Sequence, residues 1–209
     1  VRYPGTALAA SAVLNSGLAM FRSKEFERAA DRLRQVPADS PNYAQAPLMT
    51  AVSRKELGRI EEARRALSDA QKVVGDGPLA ADILFQRAQL ERTDRQSAVA
   101  AQVFEDIAIR WPQDARVAEC LFNATELRLE LNELEAAERN WKSLEISYPQ
   151  QAAQLREQIL LGRLYLARKE PNKAIETLTR AVGNAEVPGS SVPPDRTLAV
   201  GRYYLVRTL

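Results

Sequence analysis

Five alanines stand in register along this chain. Stepping back 37 residues from Ala174 reaches Ala137, Ala100 and Ala63, and a last step of 34 reaches Ala29. Four residues after each comes a larger apolar residue: Leu33, Leu67, Phe104, Trp141 and Leu178. Three further on stand Val36, Ala70, Ile107, Leu144 and Ala181. An i, i+4, i+7 spacing lies on one face of an α-helix, so the same helical face is written five times. A unit of this size cannot bury such a face alone, and stacking against its neighbours is the solution open to it.

Upstream of each of these helices runs a second apolar-periodic stretch, about 15 residues long, separated from it by a short polar turn such as RSKE, LGR or LNE. Each unit is therefore a helical hairpin. Pro4, Pro41, Pro112 and Pro149 mark the seams between hairpins, with Gly75 at the equivalent place in the second unit. Proline fits the first turn of a helix and stops the one before it, which is why Trp-Pro-Gln at 111–113 returns as Tyr-Pro-Gln at 148–150. The pattern predicts eleven helices, near 5–22, 25–36, 42–57, 60–74, 79–93, 96–110, 114–131, 134–147, 151–168, 172–184 and 195–209.

The hairpins resemble tetratricopeptide repeats. Leu161-Gly162-x-x-Tyr165 followed by Ala174-x-x-x-Leu178 matches that family's pattern, as do Gly17-x-x-Met20 with Ala29-x-x-x-Leu33 and Pro41, and Val200-Gly201-x-x-Tyr204. The middle units carry Ala51, Ala88 and Thr125 where glycine is expected, and all three are small. The resemblance implies an all-α, right-handed superhelical solenoid of antiparallel helix hairpins spanning 1–209. Its units are expected at about 5–40, 41–74, 78–111, 113–148 and 150–185, with the start of a sixth at 194–209 and a flexible seam loop or linker at 185–195. Repeat steps of 37 with aromatic-Pro seams resemble bacterial cell-envelope members of the family, so a periplasmic or envelope location is expected over a cytoplasmic one. The chain opens on Val1 with a seam-like Arg-Tyr-Pro-Gly and is expected to be a piece of a longer protein.

Composition narrows the chemistry. There is no histidine, which removes the commonest general base and transition-metal ligand. The one cysteine, Cys120, reads as a small apolar side chain in a helix. Neither a catalytic constellation nor a cofactor or metal motif emerges, so a non-catalytic protein is expected. The net charge of +2, from 29 basic and 27 acidic residues with the signs interspersed, offers no footprint for nucleic acid. No run reaches the roughly 18 apolar residues of a membrane span, so direct membrane insertion is not expected. The segment GTALAASAVLNSGLAM lacks a basic lead-in and reads as a buried helix.

The tetratricopeptide resemblance implies that the first helices of successive hairpins line a groove for a protein or peptide partner. Three residues before each small position stand Leu14, Leu48, Phe85, Phe122, Ile159 and Leu198; just after the small positions come Glu126 and Arg163, and Arg92 follows four after Ala88. This apolar column either fills the packing between helices or projects into the groove. The groove reading names Phe85, Phe122, Ile159 and Leu48, flanked by Arg92, Glu126 and Arg163. Of the Lys and Asn residues with which chaperone-binding members clamp a terminal carboxylate, these columns hold one lysine, Lys55, and no Asn, too few for that clamp. Self-association through Tyr203, Tyr204 and Leu205 on the last helix is an alternative, as is a nucleic-acid-binding helical repeat.

Other motifs carry little. The glycines of VVGDGPL lack a following Gly-Lys-Ser/Thr, Asn123-Ala124-Thr125 lies inside a predicted helix, and ELRLELNELEAAERNW breaks register at its polar turn. Glu61-Glu62 and Glu133-x-Glu135 sit in first helical turns, where the dipole favours acids.

Overall fold

A computed structural model describes residues 7–185 and 196–208. These form twelve helices and no strand. The contacts group into two compact units, Val1–Val103 and Phe104–Leu209, and the division falls inside a helix. The expected loop at 185–195 lies outside the described residues beyond Ala185.

In the first unit α1 (Ala7–Arg22) packs on α2 (Phe26–Leu33), and α3 (Gln45–Glu56) on α4 (Ile60–Val74). Helix α5 (Ala80–Thr93) follows, and α6 (Ser97–Arg110) contains the division. Successive hairpins touch through α2 with α3 and α4 with α5. In the second unit α7 (Val117–Glu130) pairs with α8 (Leu134–Ser147), and α10 (Leu155–Ala167) with α11 (Pro171–Ala185). The single turn α9 (Pro149–Ala152) precedes α10, and α12 (Arg196–Thr208) packs on both α10 and α11.

The repeated face is the core. All five register alanines have no exposed surface, and the larger residues four and seven positions later are all buried. A Cβ placed on Gly17 would lie 2.6 Å from Leu33 Cγ, and one on Gly162 the same distance from Leu178 Cγ. Small residues at this column therefore set how closely the two helices of a hairpin approach.

Each hairpin turn has the same construction. Lys24, Gly58, Arg95, Asn132 and Lys169 all adopt left-handed backbone, with φ between 59° and 72°. The next residue's amide reaches back to the carbonyl five residues earlier, as from Glu25 to Met20 and from Glu170 to Tyr165, both at 2.9 Å. This is the Schellman arrangement that satisfies the last carbonyls of a helix.

The structure departs from expectation at the last seam. A single helix was expected over 151–168, but Gln154 is extended (ψ 155°) and separates α9 from α10. Pro149 opens α9 at its first position, and the Gln158 side-chain amide donates to the Ala152 carbonyl at 2.7 Å, satisfying the broken end. Helix α2 is also shorter than 25–36, because Gln35 and Val36 bond three residues back, in a tighter turn.

Candidate functional site

Within the second unit α10 touches both α7 and α12, and the three enclose a cavity of about 240 Å³. Helix α7 contributes Phe122 and Glu126; α10 contributes Arg156, Ile159, Leu160 and Arg163; α12 contributes Thr197 and Val200. Residues three, four and seven apart share a helix face, so each helix presents one stripe.

The floor is apolar and the walls are charged. Phe122 and Ile159 are buried, and Phe122 is also part of the core around Trp141 and Leu160. The Arg156 guanidinium carbon stands 3.9 Å from the centroid of the Phe122 ring, while Arg156 Nη2 donates to Glu157 Oε1 at 3.0 Å. An arginine held over an aromatic face keeps its charge accessible while its stem covers apolar surface. Arg163 Nη1 donates to Glu126 Oε1 at 3.2 Å, and the same guanidinium lies 5.6 Å from the Tyr204 ring. A second cavity of about 350 Å³ begins at Arg163 and runs along the same helices past Leu129, Leu166 and Tyr204. The result is an amphipathic trough.

Four of the seven residues singled out in the sequence, Phe122, Ile159, Glu126 and Arg163, meet in this one cavity. Leu48 has another place: it is buried in the first unit's core with Ala51, Leu67 and Ile83, so packing accounts for it. Phe85 and Arg92 are half-buried on α5, in that first unit. Arg156 and Val200 line the cavity although neither stands in the glycine-based columns. Arg156 precedes Ile159 by three residues, a spacing on the same face that was open to reading.

Three residues noted in the sequence are enclosed by packing or bonding. Burial pushes the Cys120 thiol up to about 12, which keeps it protonated and unreactive. Asn123 and Thr125 are both buried, and the Thr125 hydroxyl donates to the Leu121 carbonyl at 2.7 Å. Among the described residues no cluster of acidic or cysteine side chains could hold a metal, and no helix is long and apolar enough to cross a membrane.

Residues 48–115 match the model of the tetratricopeptide repeat family. Those residues belong to that family, and the chain has its fold. The fold class is all-α, the tetratricopeptide-type solenoid of antiparallel hairpins. Among solved structures, a tetratricopeptide repeat protein from Parabacteroides merdae shares 15% identity at a TM-score of 0.78, covering 96% of this chain and 73% of that one. MamA from Desulfovibrio magneticus shares 15% identity at a TM-score of 0.71, covering 87% of this chain and 97% of that one. YrrB, described as a tetratricopeptide repeat protein with an unusual peptide-binding site, shares 16% identity at 0.67, covering 91% and 90%. No curated protein matches the chain in sequence. Stacked helical repeats of this kind in general serve as protein-interaction scaffolds, presenting surfaces assembled from successive units.

Proposed function

We propose that this chain is a non-catalytic protein-interaction scaffold that binds a segment of a protein partner in the trough of α7, α10 and α12. The observation that carries this reading is the cavity itself: Phe122 and Ile159 supply an apolar floor, and Arg156, Arg163 and Glu126 supply charges that orient a guest. Val200 stands partly exposed at its rim, where a docked side chain would cover it. Phe85 and Arg92, half-buried on α5 of the first unit, are proposed as partner-binding residues of that unit. The same proposal puts the scaffold in a bacterial envelope assembly, a reading supported by the resemblance of its 37-residue steps and aromatic-Pro seams to envelope members of the family.

Affinity capture from separated soluble and envelope fractions tests the reading, with the parent compared against Arg156→Glu combined with Val200→Glu. Both residues are accessible, so circular dichroism should be unchanged. A partner captured from the envelope fraction by the parent and lost by the variant is the expected result. Equal capture by a folded variant would refute the trough, and capture only from the soluble fraction would refute the location.

A second reading, self-association, rests on α12, where Tyr203 and Val206 are 57% and 72% exposed. Sedimentation over an about hundredfold range of concentration separates the two: a monomer throughout removes self-association.

A further inference from the structure

A larger cavity of about 570 Å³ lies elsewhere in the second unit, between the end of α6 and the helices α7 and α8. Its floor is apolar, made by Val117 and Leu121 of the core with the ring of Tyr148 and the aliphatic chain of Ile109, which is 75% exposed. Tyr148 is held there by its hydroxyl, which donates to the Pro112 carbonyl at 3.0 Å. At the rim stands Arg139, exposed and with no ion pair among the described residues, although its charge acts on the Glu105 carboxylate in the same cavity. The acid in the same cavity, Glu105, does not take that role by contact. Its oxygens accept from Arg128 Nε and Nη2 at 2.9 and 2.6 Å and from Asn140 Nδ2 at 2.7 Å.

The first unit supplies an internal comparison. It has a cavity of about 300 Å³ at the matching seam, lined by Arg65, which precedes Arg139 by two repeat steps of 37 residues. There, Glu62 and Asp69 also line the cavity. Two steps on, their positions hold Ala136 and Ser143. Glu62 is engaged by Arg54 and Arg59 and Asp69 by Lys72, so neither acid is bonded to Arg65; in the second unit both positions are uncharged, and the one acid lining the cavity, Glu105, is held by Arg128.

We propose that the second seam cavity is a binding site for an acidic, aliphatic segment of a protein partner, distinct from the trough. A carboxylate of the guest pairs with Arg139, an adjacent Leu, Ile or Val side chain covers Ile109, Val117 and Leu121, and the guest backbone bonds to the Gln113 amide and Ser147 hydroxyl at the rim. An exposed arginine over an apolar floor, in a cavity whose own acid is already bonded to Arg128 and Asn140, selects one carboxylate beside a hydrocarbon side chain, not a polyanion, whose binding needs several cations in a row.

The test is a random dodecapeptide display library selected in parallel on the parent chain, on Arg139→Glu and on Arg65→Glu. Both substitutions are on exposed side chains. The parent and Arg65→Glu should enrich the same peptides, with Asp or Glu next to Leu, Ile or Val, and Arg139→Glu should not. By fluorescence anisotropy, an enriched peptide should bind Arg139→Glu about tenfold more weakly or worse, and should lose affinity equally when its acid is changed to Lys. Failure of the parent to enrich such peptides would overturn the proposal, as would equal enrichment on Arg139→Glu. Loss of the selected peptides on Arg156→Glu with Val200→Glu, and not on Arg139→Glu, would move them to the trough and overturn it too.

Discussion

Gly162 and Leu178 are packed so closely that a β-carbon on the glycine would lie 2.6 Å from Leu178 Cγ. The pair joins α10 to α11, and Leu178 is fully buried, so its side chain has no open space into which to move. Gly162→Ala should therefore destabilise the protein by about 1–3 kcal/mol through overpacking, offset in part by the roughly 1 kcal/mol by which alanine favours a helix. Urea denaturation of the two forms measures the balance. A second substitution, Leu178→Ala, made in the Gly162→Ala background, should cost less than it does alone, because the two changes relieve each other.

Arg54 holds the first two hairpins together. Its side chain is 5% exposed and reaches Glu27 at 2.8 Å, Glu62 at 3.3 Å and Asp31 at 3.4 Å. Arg54→Ala leaves a cavity and three acids around it, but those acids are half exposed and regain water. The expected loss is about 2–3 kcal/mol, below that of a fully buried pair. Arg54→Met keeps most of the stem packing and should cost about 1 kcal/mol less than the alanine. Thermal denaturation of both variants checks the order.

The seam between α6 and α7 is tied by Asp114. Its carboxylate accepts from Arg116 Nη2 at 2.7 Å, and from Arg116 Nε and the Arg116 backbone amide, both at 2.9 Å. The Arg116 guanidinium, working against partial burial and helped by that amide, holds the Asp114 carboxyl at about 2. Because the folded form binds its proton less readily than the unfolded chain, the contribution is complete above about pH 4 and disappears as the pH falls towards 2. Asp114→Asn should cost about 1–2 kcal/mol at pH 7 and little at pH 2, a difference that denaturation curves at the two pH values would show.

Much of this fold could be read from the sequence because its core is a column of recurring residues. Ala29, Ala63, Ala100, Ala137 and Ala174 are all completely buried, and periodicity alone had placed them on one face. The turns were less legible. All five place one residue in left-handed backbone at the repeat step, yet only Gly58 and Asn132 are of types that favour it; Lys24, Arg95 and Lys169 are held there by the Schellman bonds of the helix end. The break between α9 and α10 escaped notice because it depends on the Gln158 side chain capping Ala152, a contact with no periodic signal.

The candidate site was legible in part for the same reason. Glu126 and Arg163 are one repeat step apart, so a register argument that aligned them also brought their charges together at 3.2 Å. The column containing Leu48 and Phe122 could not be divided into core and surface by spacing alone. Leu48 is enclosed by its own hairpin and the next helix, whereas Phe122 remains at a cavity edge beneath Arg156. Val200 was missed because it belongs to neither column, being the residue just before Gly201.

The most direct test of the trough is site-specific photocrosslinking with a photoreactive amino acid at Val200, and with one at the exposed Lys142 of α8 as control, in the soluble and envelope fractions used for affinity capture. The account predicts a protein adduct from Val200 that is abolished by Arg156→Glu, and none from Lys142. An adduct from Lys142 alone, or one from Val200 indifferent to Arg156→Glu, would contradict it.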